Sequence, residues 1–274
     1  MLTVVNPFTE SVEVELPLLA AGEVEGVVRK GRDAFEAWRR EPVAARVALC
    51  HKFMAAFEKS GEQISRDITR QMGKPLGQSR NEVAGTLDRA RYMASIAEQA
   101  LADEYLPEKP GFTRYIRHEP LGVILVVAAW NYPLLIAVNV VVPAVLAGNA
   151  LIIKHSSKTP LCGQAFVDAF SAAGAPEGLV QHVVAGHAVT EAIIQHPDIA
   201  HVSFTGSVAG GHEVARSAAG RFIDVGLELG GKDPAYVCAD ADFEYAVDNC
   251  VDGVFYNAGQ SCCGVERIYV ERSI

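Results

Sequence analysis

The sequence predicts an α/β protein built on a doubly wound, mostly parallel sheet with helices on both faces. Three observations carry that expectation. Residues 121–129 form an unbroken apolar run of strand length, closed by Asn131 and Pro133, as expected of a strand covered on both sides. From residue 151 onward, short strand-like runs alternate with segments of helical periodicity, the βαβα pattern of parallel sheets. Glycine follows several of these strand-like runs, at the ends where such sheets bind ligands.

With 274 residues, 50% of them hydrophobic, the chain can bury a large core and should hold one large or two ordinary domains. A formal net charge of -9 without any basic run argues against a nucleic-acid surface and leaves small molecules as the expected partners. The cysteines, at positions 50, 162, 238, 250, 262 and 263, form no Cys-x-x-Cys pair and have no histidine at metal-ligand spacing beside them. Neither a metal site nor a disulfide framework is expected, and the thiols read as those of a reduced, cytoplasmic protein. Residues 1–10 lack the basic and apolar regions of a secretory signal. The apolar stretch 121–153 is broken by Asn131, Pro133, Asn139, Pro143 and Asn149, which favours a strand, a turn and a buried helix over a membrane span.

In chain order, Val24, Val27, Val28, Phe35 and Trp38 follow helical spacing, and Val43, Val47, Cys50, Met54 and Phe57 repeat it. Val83, Leu87, Ala90, Ala94, Ala97 and Leu101 mark a longer helix with charges on its opposite face. Residues 111–119 mix β-branched and aromatic residues with charges, the composition of an exposed strand. Strands follow at 121–129, 151–154, 180–184, 201–204, 223–229 and 235–238, with a helix over 162–173 stopped by Gly174 and Pro176. Phe243, Val247, Cys250 and Val254 mark a last helix, and 267–270 a last strand. No downstream segment can pair with that strand, so an exposed apolar edge is expected.

Between these last two elements, adjacent cysteines sit in a loop flanked by glycine: Phe255-Tyr256-Asn257-Ala258-Gly259-Gln260-Ser261-Cys262-Cys263-Gly264-Val265-Glu266-Arg267. Structural cysteines usually lie inside apolar periodic segments, whereas a nucleophilic thiol needs access and surroundings that favour the thiolate. On these residues alone an incidental loop thiol is the commoner case, and it is the rest of the chain that favours the reactive one. Upstream, in order, stand Trp130-Asn131-Tyr132-Pro133, Ile153-Lys154-His155-Ser156-Ser157, Phe204-Thr205-Gly206-Ser207 and Leu227-Glu228-Leu229-Gly230-Gly231-Lys232. Together these strings resemble the aldehyde dehydrogenase superfamily, from near the first residue to the last.

The resemblance implies a Rossmann-like sheet, with 1–101 and 121–229 as a cofactor-binding domain, 102–120 as oligomerisation-arm strands and 230–274 as the start of an incomplete catalytic domain. It makes Cys262, two residues after Gln260, the nucleophile toward an aldehyde substrate, Asn131 the oxyanion donor and Glu228 the base that activates water on the thioester. Taken alone, Asn131 could merely turn the chain before Pro133, and Glu228 could be an edge-strand surface charge of the kind that needs no chemistry. For NAD or NADP, the sheet lacks the usual Gly-x-Gly-x-x-Gly fingerprint. The family instead implies Phe204, Gly206 and Ser207 at the pyrophosphate, Gly186 on the adenine side, Lys154 at the adenosine ribose, and Trp130 and Leu229 as neighbours of the cofactor. Many NAD-preferring relatives carry glutamate where this chain has Ser157. Losing that charge, with Lys154 and Lys158 nearby, implies that a 2′-phosphate is tolerated. Relatives of full length would add the rest of a second domain and assemble as dimers or tetramers, so a partial, inactive chain is expected. A CoA-acylating enzyme and a non-catalytic nucleotide-binding fragment are the alternatives, and Glu228 favours water over a thiol as the acyl acceptor.

Overall fold

A computed structural model describes residues 1–274. The chain opens with an antiparallel hairpin, β1 (Leu2–Val5) and β2 (Val12–Leu16), followed by four helices, α1 (Val24–Trp38), α2 (Val43–Lys59), α3 (Gly61–Met72) and α4 (Leu76–Ala100). Short strands β3 (Glu104–Tyr105) and β4 (Tyr115–Ile116) pair with each other. The alternating part then runs β5 (Val123–Val127), α5 (Pro133–Ala147), β6 (Ala150–Lys154), α6 (Pro160–Ala172), β7 (Val180–Val183), α7 (His187–Gln195), β8 (Ile199–Gly206), α8 (Val208–Ala218) and β9 (Asp224–Leu229). The chain closes with β10 (Asp233–Val237), α9 (Phe243–Phe255) and β11 (Val265–Val270).

Strands β5 to β9 form one parallel sheet in the order β7-β6-β5-β8-β9. Its central strand explains the unbroken apolar run. Ile124 and Val126 join the larger core cluster with α5 and α6, while Val123, Leu125 and Val127 face the opposite cluster with Ile193 of α7 and Val214 of α8. Every residue of β5 is buried. The stretch once compatible with a membrane span is thus strand, helix and strand, and no helix of the chain is long and apolar enough to cross a membrane.

Several expectations change. The strand at 111–119 shrinks to Tyr115–Ile116, because Pro107, Pro110 and Gly111 leave room for only a two-residue ladder. The β1–β2 hairpin and α3 had no counterpart in the pattern reading. The last strand is not left without a partner: α9 provides the crossover that sets β11 parallel to β10 upstream of it. Its outer surface does stay open, with Ile268, Tyr269 and Val270 exposed.

The turn after β5 is held from two directions. From α4, Glu82 Oε1 accepts from the N–H groups of Leu134 (2.9 Å) and Leu135 (3.2 Å), capping α5, while its other oxygen pairs with buried Lys74. The Lys74 ammonium also stands 4.2 Å from the Tyr132 ring centroid. Burial lowers the lysine's proton affinity and the Glu82 carboxylate opposes that shift; removing one partner of such a buried pair costs about 3–5 kcal/mol. From β6, His155 Nε2–H donates to Pro133 O (3.0 Å) and Nδ1 accepts from Thr159 Oγ1 (3.1 Å), an assignment set by the hydrogen-bond partners.

Burial holds His155 neutral, with its pKa lowered from 6.5 to about 4. The unfolded chain therefore binds a proton that the folded chain refuses between those two values, and stability falls as pH drops through that window. The expected loss from this residue is on the order of 3 kcal/mol between pH 6.5 and 4. Urea unfolding of the native chain and of His155→Gln across that range should show a shallower pH slope in the variant; equal slopes would contradict the assignment.

Candidate active site

The order of the sheet locates the site. After β5 the chain moves outward through β6 and β7, then returns to the other flank of β5 for β8 and β9. The loops leaving the C-terminal ends of β5 and β8 consequently diverge and leave a crevice between them. A cleft of about 610 Å³ opens there. Trp130 and Asn131 reach it from the β5 loop, Lys154 from the end of β6, and Phe204, Gly206 and Ser207 from the end of β8. Glu228 and Leu229 of β9 complete that bank, and Cys262 closes the far end from the α9–β11 loop.

The thiol loop is bent into an uncommon shape. Asn257, Ala258 and Gly259 are successive left-handed residues, with φ of 56°, 54° and 74°. For asparagine this is tolerable; for alanine it costs roughly 1–2 kcal/mol, so the loop must be held from outside. Asn257 is that hold. Fully buried, it donates both amide hydrogens, to Asn131 O at 2.8 Å and to Gln260 O at 2.9 Å. One side chain therefore sets the Asn131 loop against the thiol loop. Gly231 allows the same approach from β9, since a β-carbon there would fall on the carbonyl group of Cys262.

Cys262 itself is exposed, and partial desolvation pushes its thiol above the ordinary range, with neighbouring Cys263 adding in the same direction. The surroundings thus do not favour a resting thiolate, contrary to the expectation for a reactive cysteine, because the only cation on the lining is Lys154 and it lies on the β6 side. Glu228 is exposed, as an edge-strand charge would be, and not partly buried as would suit a base of raised pKa: β9 is the sheet's edge strand, and its outer flank is open. The vicinal Cys263 Sγ lies 3.2 Å from Ser261 Oγ.

The opposite end suits an anionic ligand. Ser207 caps α8, its hydroxyl accepting from Gly210 N–H at 3.1 Å, and the first-turn N–H groups of that helix have no intrahelical acceptors. Gly206 has no room for a side chain, since a β-carbon would stand 2.6 Å from the Phe204 ring. Two expected residues lie outside this lining. Ser157 is exposed on a second cleft of about 330 Å³, beside Lys158, whose ammonium sits 4.0 Å from the Trp130 ring centroid. Trp130 is the wall common to both clefts. Gly186 caps α7 after β7, at the far edge of the sheet.

Asn257 and Gln78 were not singled out from the sequence, whereas the paired glycines Gly230 and Gly231 read there as permitting a close approach, which Gly231 makes. The run Asn257-Ala258-Gly259 did carry a signal, since asparagine and glycine are the residues that accept left-handed backbone.

Comparison with known proteins agrees with this geometry. The model of the aldehyde dehydrogenase family matches residues 1–274. The 3,6-anhydro-alpha-L-galactose dehydrogenase of Streptomyces coelicolor is 33% identical over 274 residues, 100% of this chain and 56% of that protein. Succinate-semialdehyde dehydrogenase [NADP(+)] 1 of Mycobacterium bovis is 33% identical over 275 residues, 100% of this chain and 60% of its own. The crystal structure of NADP-dependent glyceraldehyde-3-phosphate dehydrogenase from Bacillus halodurans, complexed with NADP, superposes with a TM-score of 0.92 at 32% identity, covering 99% of this chain and 58% of that one. The chain therefore spans little more than half the length of these relatives. A match along every residue, with the motifs gathered on one crevice, means that the chain belongs to the aldehyde dehydrogenase family.

Proposed function

We propose that the chain carries the nucleotide-binding and thiol-bearing parts of an NAD(P)-dependent aldehyde dehydrogenase that oxidises an aldehyde to a carboxylic acid. The observation that carries this reading is the meeting of Cys262, Asn131 and Glu228 on the lining of one cleft, beside a helix N-terminus and a lysine able to receive a dinucleotide. On this reading, residues 1–101 and 121–229 are the cofactor-binding domain, 102–120 an arm for pairing with a second copy, and 230–274 the beginning of a catalytic domain.

The sulfur of Cys262 adds to the aldehyde carbonyl carbon, the thiol proton leaving to solvent and the π pair moving to oxygen. Asn131 and the Cys262 backbone N–H donate to that oxyanion. When bound, the nicotinamide supplies the hydride acceptor. Glu228 takes a proton from the water whose oxygen replaces sulfur at the acyl carbon. Lys154, Ser207 and the α8 N-terminus hold the dinucleotide in register with the thiol. That the chain spans little more than half the length of its relatives supports a second reading, in which the isolated chain binds nucleotide without turnover.

Alkylation of Cys262, followed by peptide mass, tests the reading. Because the thiol lies above the ordinary range, its rate should keep climbing with pH through the usual cysteine value of about 8.5. Saturating NADP should change the rate at Cys262 and leave Cys238 unaffected. Indifference to NADP at both cysteines contradicts the reading, whereas a plateau near neutrality would contradict only the raised proton affinity of the thiol.

Ser157 carries no charge to repel a 2′-phosphate, and Lys158 beside it adds attraction. Quenching of Trp130 fluorescence should show NADP bound at least as tightly as NAD. In Ser157→Glu the NADP affinity should fall roughly tenfold, equivalent to about 1.4 kcal/mol, with NAD little changed. Equal loss for both nucleotides would remove the 2′-phosphate from this position.

A further inference from the structure

The left-handed turn of the thiol loop leans on a helix more than a hundred residues upstream in sequence. Gln78, in the first turn of α4, accepts from the backbone N–H of Asn257 through its side-chain oxygen at 2.7 Å. Only the oxygen of a carboxamide can accept, so the orientation of this group is fixed by its partner. One turn further along the same helix, Glu82 caps α5 through the N–H groups of Leu134 and Leu135. Successive turns of α4 thus grip the thiol loop and the segment that follows Asn131, while Asn257 joins the two loops directly through Asn131 O.

We propose that Gln78 is a positioning residue for the thiol chemistry: its carboxamide oxygen holds Asn257 in place and thereby sets the distance between Cys262 and the Asn131 amide. It touches none of the reacting atoms itself and does not line the cleft. The inference rests on the assignment of Cys262 and Asn131 given above. The bent loop accounts for the need. With Asn257 and Ala258 both left-handed, the backbone has an easier conformation available, and an acceptor on a rigid helix keeps the strained one populated.

Two reagents separate positioning from general packing, and both act on the chain without nucleotide. p-Nitrophenyl acetate acylates a thiol by forming an S–C bond as the C–O bond to p-nitrophenolate breaks, through an oxyanion that Asn131 should stabilise. With iodoacetamide the same sulfur forms an S–C bond to the methylene carbon as the C–I bond breaks and iodide leaves, without any oxyanion. Gln78→Met removes the acceptor at similar volume, and Gln78→Glu keeps an acceptor oxygen.

In Gln78→Met, acylation of Cys262 should slow about tenfold, as for a misplaced reacting group. Iodoacetamide alkylation of the same cysteine should stay within about twofold, and Gln78→Glu should recover most of the acylation rate. An acylation rate in Gln78→Met equal to that of the native chain overturns the positioning role and leaves the functional reading intact. Equal slowing with both reagents also overturns it, since that marks general loosening. If Cys262 of the native chain is not acylated at all, the functional reading fails and this inference fails with it.

Discussion

A single buried carboxamide decides how this site is assembled. Asn257 places its two amide hydrogens on the carbonyls of Asn131 and Gln260, which come from segments separated by 126 and 3 residues. Buried donors of this kind are costly to leave unmade, so separating the two loops carries that cost. Everything else about the crevice is arranged around that constraint. Glu82 of α4, paired with Lys74 in the turn before that helix, steadies the Asn131 loop, His155 steadies it from just after β6, and Gly231 lets the end of β9 close up against the thiol loop.

The crevice carries charge of both signs. Lys154 and the N-terminus of α8 supply positive potential on the lining, Glu228 beside the end of β8 is its only carboxylate, and Cys262 closes the far end. A thiol kept protonated by desolvation and by a neighbouring cysteine is quiet until something cationic arrives beside it. The positively charged nicotinamide ring of an oxidised dinucleotide is such a group. On the proposed reading, cofactor binding and nucleophile activation are then one event.

The sheet was legible in the sequence because burial leaves a pattern. Residues 121–129 read as a doubly covered strand, and β5 is one; the alternation beyond residue 151 became β6 to β9 with their helices. Short exposed elements left little trace: β3 and β4 are two residues each, and the β1–β2 hairpin lies at an edge. Helix α3 hid because its apolar stripe, Ile64, Ile68 and Met72, is sparse among polar residues. For the site, motif strings located Cys262, Asn131, Glu228, Lys154 and Ser207 on one crevice. They did not reveal Gln78 or the bridge through Asn257, because a hydrogen bond between residues 179 apart depends on tertiary packing and not on local pattern. The exposure of Glu228 matches the edge-strand reading that its residue type alone allowed, and it follows from β9 being an edge.

The central claim is that nucleotide and thiol share one crevice, and hydrogen exchange of the chain with and without saturating NADP tests it most directly. The account predicts slowed amide exchange at both 205–210, where α8 begins, and 259–262, where the thiol loop ends. Protection confined to one of these segments, or absent from both while NADP is bound, would contradict it.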